Sequence, residues 1–316
     1  MISKESKIYV AGHQGMVGSA IMRRLEAEDY RNTVVRTRGE LDLLDQASVW
    51  RFFEQEKPEV VFLAAARVGG IMANMTDLTG FLYENLQIQN NVIHSAAVSG
   101  VNRFIFLGSS CIYPLNAPQP LKEDSFLTGP FEPTNEGYAL AKIAGMRLCS
   151  YLANDGVWDC LNIIPCNLYG PGDNFDSVSS HVMAALVKRF TDAEGSGENE
   201  VVCWGTGVAK REFLHVDDLV GGMFMLLESN PYGGEPVNIG YGTDVSIKEL
   251  AELIANQCAF SGRIAWDKTK PDGMKRKLMD NSRMQKLGFK PRVSLERGVA
   301  LLIDEYRSLG RMTYDE

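Results

Sequence analysis

The sequence predicts an α/β protein: a doubly wound parallel sheet with helices on both faces, followed by a smaller mixed α/β C-terminal domain. Three observations predict it. Short apolar runs alternate with longer helix-period segments as far as residue 165. A glycine-rich turn joins the first run to the first helix, and the alternation loosens after about residue 167. Residues 1–167 are therefore expected to form the main domain and 168–316 mainly a second one, with some segments returning to the main sheet.

Taken in order, residues 7–11 read as a strand, 12–18 as a turn, and the stretch to about residue 28 as a helix. Residues 33–37, rich in β-branched side chains, read as a second strand, 46–56 as a helix and 60–64 as a third strand. A long helix over 78–98 precedes a strand at 104–108, and a second long helix over 136–153 precedes a strand at 160–165. Residues 174–199 hold one helix and a polar, glycine-containing loop, and short elements follow. There is no internal repeat or low-complexity tract.

Composition narrows the function. Hydrophobic residues make up 45% and charged residues 23% of 316, ordinary globular values. The net charge of −8 argues against a general nucleic-acid binder. No apolar run approaches the roughly 20 residues of a membrane span, and the first residues lead into a strand without a signal-peptide core, so a cytoplasmic enzyme is expected. Cys111, Cys149, Cys160, Cys166, Cys203 and Cys258 form no C-x-x-C pair, so no metal site is expected.

Gly12-x-x-Gly15-x-x-Gly18 follows a strand and opens a helix, the context in which glycines let a dinucleotide pyrophosphate approach a helix N-terminus. An acidic residue at the end of the second strand would select NAD; Arg36 and Arg38 stand there instead, favouring a 2′-phosphate and hence NADP(H). The alternative is a pair of solvated arginines, with Asp42 close by in sequence. Tyr138 and Lys142 stand at i and i+4, one helix face, where an ammonium beside a phenol is expected to lower the phenol's pKa. Tyr138 is then a candidate proton donor to a carbonyl under reduction, and Ser109 ends the strand-like run between the two motifs.

These features resemble the extended short-chain dehydrogenases/reductases. Four segments are similar, more specifically, to the GDP-L-fucose synthase family: Ala65-Ala-Arg-Val-Gly-Gly-Ile71, Leu107-Gly-Ser-Ser-Cys-Ile-Tyr-Pro114, Glu132-Pro-Thr-Asn135 with Tyr138 and Lys142, and Pro165-Cys-Asn-Leu-Tyr-Gly-Pro171. The similarity continues through Trp204-Gly-Thr-Gly207, Arg211-Glu-Phe-Leu-His-Val-Asp-Asp218 and Lys270-Pro-Asp-Gly273, nearly the whole chain. The resemblance implies a Rossmann-type NADP-binding domain and a two-stage reaction on GDP-4-keto-6-deoxy-D-mannose: epimerisation at C3 and C5, then NADPH-dependent reduction at C4. It implies cofactor contacts from Gly12, Gln14, Gly15, Met16, Val17, Gly18, Arg36, Arg38 and Leu41. Further contacts are implied for Ala64, Leu107, Gly108, Tyr138, Lys142, Pro165, Asn167, Leu168 and His181.

The chemistry is consistent with one oxyanion site. C3 and C5 are both α to the C4 ketone, so their protons become acidic when hydroxyls such as those of Ser109 and Tyr138 stabilise the developing enolate. By resemblance Cys111 is the base and His181 the acid of inversion; read without it, a lone polar histidine such as His181 is more commonly structural. If the backbone after Ser109 stays extended, the Ser109 and Cys111 side chains point the same way. Substrate contacts are implied for Asn167, Arg189, Trp204, Arg211 and Asp280, with Arg189 alternatively on a solvated helix face and Trp204 alternatively in the core.

Gly137 and Cys166 depart from the family pattern and are expected to reshape the sugar pocket. They leave open a GDP-L-colitose synthase acting on a 3,6-dideoxy-4-keto sugar. A redox-neutral nucleotide-sugar epimerase and a non-catalytic NADP-binding regulator on the same fold are further alternatives. The two long helices carry apolar residues beyond one buried stripe (Leu82, Leu86, Ile93, Met146, Leu148 and Tyr151), and in resembling enzymes such helices pair across a two-fold axis, so a homodimer is expected.

Overall fold

The computed structural model describes residues 2–176, 179–229 and 231–312. Six parallel strands form the main sheet in the order Pro236–Ile239, Asp159–Pro165, Arg103–Leu107, Val60–Leu63, Ile8–Ala11 and Thr33–Val34. Every residue of Ile8–Ala11 and of Val60–Leu63 is buried, as expected of strands covered by helices on both faces. The chain leaves Ile8–Ala11 in one direction to reach Thr33–Val34 and then returns past it to Val60–Leu63. That reversal opens a crevice at the carboxyl ends of the central strands, where the glycine turn lies.

The second strand is shorter than expected, Thr33–Val34 in place of 33–37. It is an edge strand with one neighbour, and Arg36 is drawn off it by an ion pair with Glu56, 2.5 Å, at the end of helix Gln46–Glu56. A six-residue helix, Ile71–Thr76, was not legible in the sequence, because six residues are too few to display a helical period.

The long helices Leu78–Val98 and Glu136–Asn154 lie against each other. Glycine makes the close approach possible: a Cβ on Gly137 would stand 2.5 Å from the Leu78 carbonyl oxygen. Gln89, buried between the helices, donates from Nε2 to the Ala141 carbonyl at 2.6 Å. Gly137 thus answers to helix packing, where the sequence suggested an effect on the sugar pocket. Ile93 and Met146 are fully buried within the subunit, unlike the interface positions they were expected to be.

Residues beyond 167 contribute to two apolar clusters. Strand Pro236–Ile239 is an edge of the sheet, and Leu214, Leu219, Met223 and Leu227 belong to its apolar core. A second cluster gathers Tyr169, Met183, Phe190, Leu250, Ile254 and Leu302. Between the clusters, Asn167–Tyr169 pairs in parallel with Phe213–His215. The buried Glu212 carboxylate ties this seam together, accepting from Gly242 N at 2.6 Å and Met279 N at 3.0 Å.

Candidate active site

A cleft of about 800 Å³ runs along the crevice and under the second apolar cluster. Its floor is the glycine turn. Gly15 caps helix Met16–Ala27, and a Cβ on Gly12 would stand 2.7 Å from the Ala65 backbone, so no larger residue fits there. A Cβ on Gly18 would overlap the Gly12 carbonyl. Gln14, Met16, Val17, Leu41, Ala64, Leu107, Gly108, Pro165 and Leu168 line the same cleft. The turn therefore fits a pyrophosphate laid on a helix N-terminus.

The two arginines differ. Arg36 is bound to Glu56 and donates to the Val35 carbonyl at 2.8 Å, with its guanidinium 5.4 Å from the Phe52 ring centroid. Arg38 is exposed and makes no hydrogen bond or ion pair among the described residues. Of the pair, Arg38 keeps its charge free for a phosphate.

Ser109, Cys111, Tyr138, Lys142 and His181 all face this cleft. Lys142 is buried and donates from Nζ to the Leu107 carbonyl at 2.8 Å, while the same nitrogen lies 5.6 Å from the Tyr138 ring centroid. Burial pulls the Lys142 ammonium down to about 8. The Tyr138 phenol is pushed up by burial and then by Cys111, the opposite of the lowering expected from its lysine neighbour. Desolvation dominates, and Lys142 has a proton engaged by a strand carbonyl. The phenol is therefore held in its protonated form.

The backbone does not stay extended after Ser109. Ser110–Ile112 is a 3₁₀ turn, and the Ser109 hydroxyl accepts from Cys111 N at 3.4 Å. Both side chains still reach the cleft. Burial pushes the Cys111 thiol up, against the pull of Lys277, Ser109 and Lys142. His181 occupies the N-cap position of helix Val182–Ser196, makes no side-chain capping bond and keeps an exposed surface, while desolvation by the cleft walls lowers its pKa.

One wall is cationic. Arg211 donates to the carbonyls of Met274 at 2.6 Å, Lys210 at 2.8 Å and Asp272 at 3.1 Å, and no carboxylate forms an ion pair with it among the described residues. Lys277, pulled down to about 8 chiefly by burial and then by Arg211, lines the same wall. Glu132 acts on both cations and Asp272 on Arg211, but neither closes an ion pair with them among the described residues, so the two cations suit a diphosphate. Trp204 is 39% exposed, so it is not core, and Arg189 stands 5.2 Å from its ring centroid while donating to the Val202 carbonyl. Asn167 reaches the Glu212 carbonyl at 3.1 Å.

Asp280 is the exception. It lies outside the cleft, with its carboxylate accepting from Ser282 N at 2.9 Å at the start of a short helix. Asp272 does line the cleft, as do Asp42, Glu84 and Glu132, and it accepts from Thr206 N and Thr206 Oγ1, both at 2.7 Å. Asp272 and Lys277 went unassigned in the sequence, although the Lys270-Pro-Asp-Gly273 segment that carries Asp272 was noticed.

Residues 8–240 match the NAD dependent epimerase/dehydratase family. The chain belongs to that family. This epimerase/dehydratase family member is 53% identical to GDP-L-fucose synthase 1 of Arabidopsis thaliana, over 97% of this chain and 94% of the relative. It is 46% identical to the GDP-L-fucose synthase of Escherichia coli (strain K12), over 94% and 95% of the two chains. Among solved structures, the GDP-mannoheptose C4 reductase MlghC of Campylobacter jejuni with NADP bound superposes with a TM-score of 0.88 at 35% identity, covering 97% of this chain and 100% of that one. No helix among the described residues is long and apolar enough to cross a membrane.

Proposed function

We propose that the protein converts GDP-4-keto-6-deoxy-D-mannose to GDP-L-fucose, inverting C3 and C5 and then reducing C4 with NADPH. The observation that carries this reading is the meeting of Ser109, Tyr138 and Lys142 with Cys111 and His181 in one cleft, in a chain 46–53% identical to curated GDP-L-fucose synthases. A regulator that only sensed the cofactor needs none of these proton donors and acceptors.

The cationic wall of Arg211 and Lys277 takes the GDP diphosphate, and Trp204 offers a flat face to a ring of the nucleotide. The Ser109 and Tyr138 hydroxyls hold the C4 oxygen. Hydrogen bonds to it acidify the C3 and C5 protons; Cys111, as the thiolate that Lys277 and Lys142 favour against burial, removes a proton from one face, and His181, as its imidazolium, returns one to the other. Tyr138, kept protonated by burial, then gives its proton to the C4 oxygen. NADPH, when bound, supplies the hydride to C4. Gly12, Gly15 and Gly18 seat its pyrophosphate, Lys142 its ribose and Arg38 the 2′-phosphate.

Six buried free thiols accord with a reducing, cytoplasmic compartment. A homodimer through the long helices is part of the same proposal: Tyr83, Leu140 and Tyr151 stay exposed along them. A monomer mass by light scattering at micromolar concentration counts against it.

The test is NADPH oxidation with GDP-4-keto-6-deoxymannose in deuterated water, with mass analysis of the product. Two solvent deuteriums, at C3 and C5, support the full reaction. Oxidation without deuterium leaves a 4-keto reductase, and no oxidation redirects the assay to the 3,6-dideoxy sugar of colitose synthesis.

A further inference from the structure

The segment that carries His181 rests on a glycine from a distant part of the chain. Gly70 N donates to the Ser179 carbonyl at 2.9 Å, and a Cβ built on Gly70 would stand 2.5 Å from the Ser180 carbonyl oxygen. Ser180 is followed directly by His181, whose own carbonyl accepts from Ala185 N at 2.9 Å and opens helix Val182–Ser196. The Gly70 backbone is ordinary, with φ −67° and ψ −178°, so glycine is not required there for its conformational freedom. It is required for space.

The turn is fixed from its other side as well. Asn74, 4% exposed, donates from Nδ2 to the Gly69 carbonyl at 2.7 Å and to the Gly70 carbonyl at 3.1 Å. A chain of contacts thus runs from Asn74 through Gly70 to Ser179 and Ser180, and ends at His181, which lines the same cleft as Cys111 and Tyr138.

We propose that Gly70, held by Asn74, is a positioning residue for His181: it sets where the epimerising imidazole stands and takes no part in the C4 redox step. This rests on the functional reading above. An alanine at position 70 meets backbone, not a flexible side-chain tip. Restoring ordinary contact at 3.4 Å requires the Ser179-Ser180-His181 segment to retreat by about 0.9 Å. A displacement near 1 Å of a proton-transfer group costs about 10²-fold in rate. Tyr138, Lys142 and Ser109 lie on other elements and keep their places.

Two rates separate the roles in one enzyme. The first is solvent-deuterium wash-in at C3 and C5 of GDP-4-keto-6-deoxymannose with NADP⁺ present, which needs His181. The second is oxidation of GDP-L-fucose by NADP⁺, in which the C4 hydride passes to the cofactor and the hydroxyl proton to Tyr138 in its phenolate form, the phenol proton having first left to solvent. Gly70→Ala is expected to lower wash-in about 10²-fold and to leave the kcat of GDP-L-fucose oxidation, measured at saturating NADP⁺, at its wild-type value, any lost cofactor contact of His181 showing in KM alone. Asn74→Ala, which removes the tie without adding bulk, is expected to shift the same ratio in the same direction. Parallel loss of both rates in either folded variant, or unchanged wash-in in both, overturns the inference. A wild-type enzyme that oxidises NADPH but washes in no deuterium overturns the epimerase reading beneath it.

Discussion

Lys142 Nζ lies 5.6 Å from the Tyr138 ring centroid and donates to the Leu107 carbonyl at 2.8 Å, so the lysine one helical turn from the phenol is anchored to the sheet. The two side chains share a helix face but have separate tasks. The phenol, pushed up by burial, remains a proton donor across the neutral range; the ammonium is fixed where a cofactor ribose is expected to lie.

Tyr138→Phe removes the donor and leaves the ring packing against Phe81, whose centroid is 6.5 Å away. Its kcat is expected to fall about 10²–10⁴-fold, the usual contribution of a positioned general acid. The KM for NADPH is expected to hold, since Lys142 keeps its Leu107 anchor. Steady-state kinetics with both substrates varied checks the split.

Lys277 is pulled down to about 8, so it is charged below that pH and neutral above it. A cation needed for the GDP diphosphate is lost as pH rises through about 8, and KM for the GDP-sugar is expected to climb there. Lys277→Arg keeps its charge at every accessible pH. Its KM is expected to stay flat from pH 7 to pH 9.5, and a rise matching wild type would remove Lys277 from the diphosphate site.

Arg36 and Arg38 separate by partner. Arg36 is held by Glu56 at 2.5 Å, whereas Arg38 is free among the described residues. Arg38→Ala is expected to raise the KM for NADPH about 10–100-fold, the value of a charged hydrogen bond, with little effect on NADH. Arg36→Ala is expected to cost less affinity and more stability, because it leaves Glu56 facing the core edge without that partner. Cofactor titration and denaturant unfolding together distinguish the two.

Gly137→Ala places a methyl 2.5 Å from the Leu78 carbonyl oxygen. Overpacking costs about 1–3 kcal/mol, against a gain of up to about 1 kcal/mol in helix propensity. A net loss of stability is expected, read as a lower denaturant midpoint. A rise in midpoint would show that the helix pair has slack.

Much of the candidate site was legible because it is written in short segments. The glycine triplet, the Tyr138–Lys142 spacing and the strand ends at Leu107 and Pro165 are each set within a few residues, and all of them line the cleft. The illegible parts depend on partners far along the chain. Asp280 was placed with the substrate residues but is occupied by Ser282, while Asp272 reaches Thr206, a contact between segments 66 residues apart. The extended path assumed between Ser109 and Cys111 gives way to a 3₁₀ turn capped by Ser109, a choice between two local conformations that three residues of sequence do not reveal.

By itself the sequence determined the order of strands and helices, the dinucleotide turn and the Tyr138–Lys142 spacing, because periodicity and motif spacing are local properties of the backbone, whereas Cys111 and His181 were assigned by family resemblance. Only the tertiary structure decided which arginine stays unpaired, that Asp272 and not Asp280 lines the cleft, and why residue 137 is glycine. Those outcomes turn on desolvation and on contacts across distant segments, and both arise only when the elements close on one another.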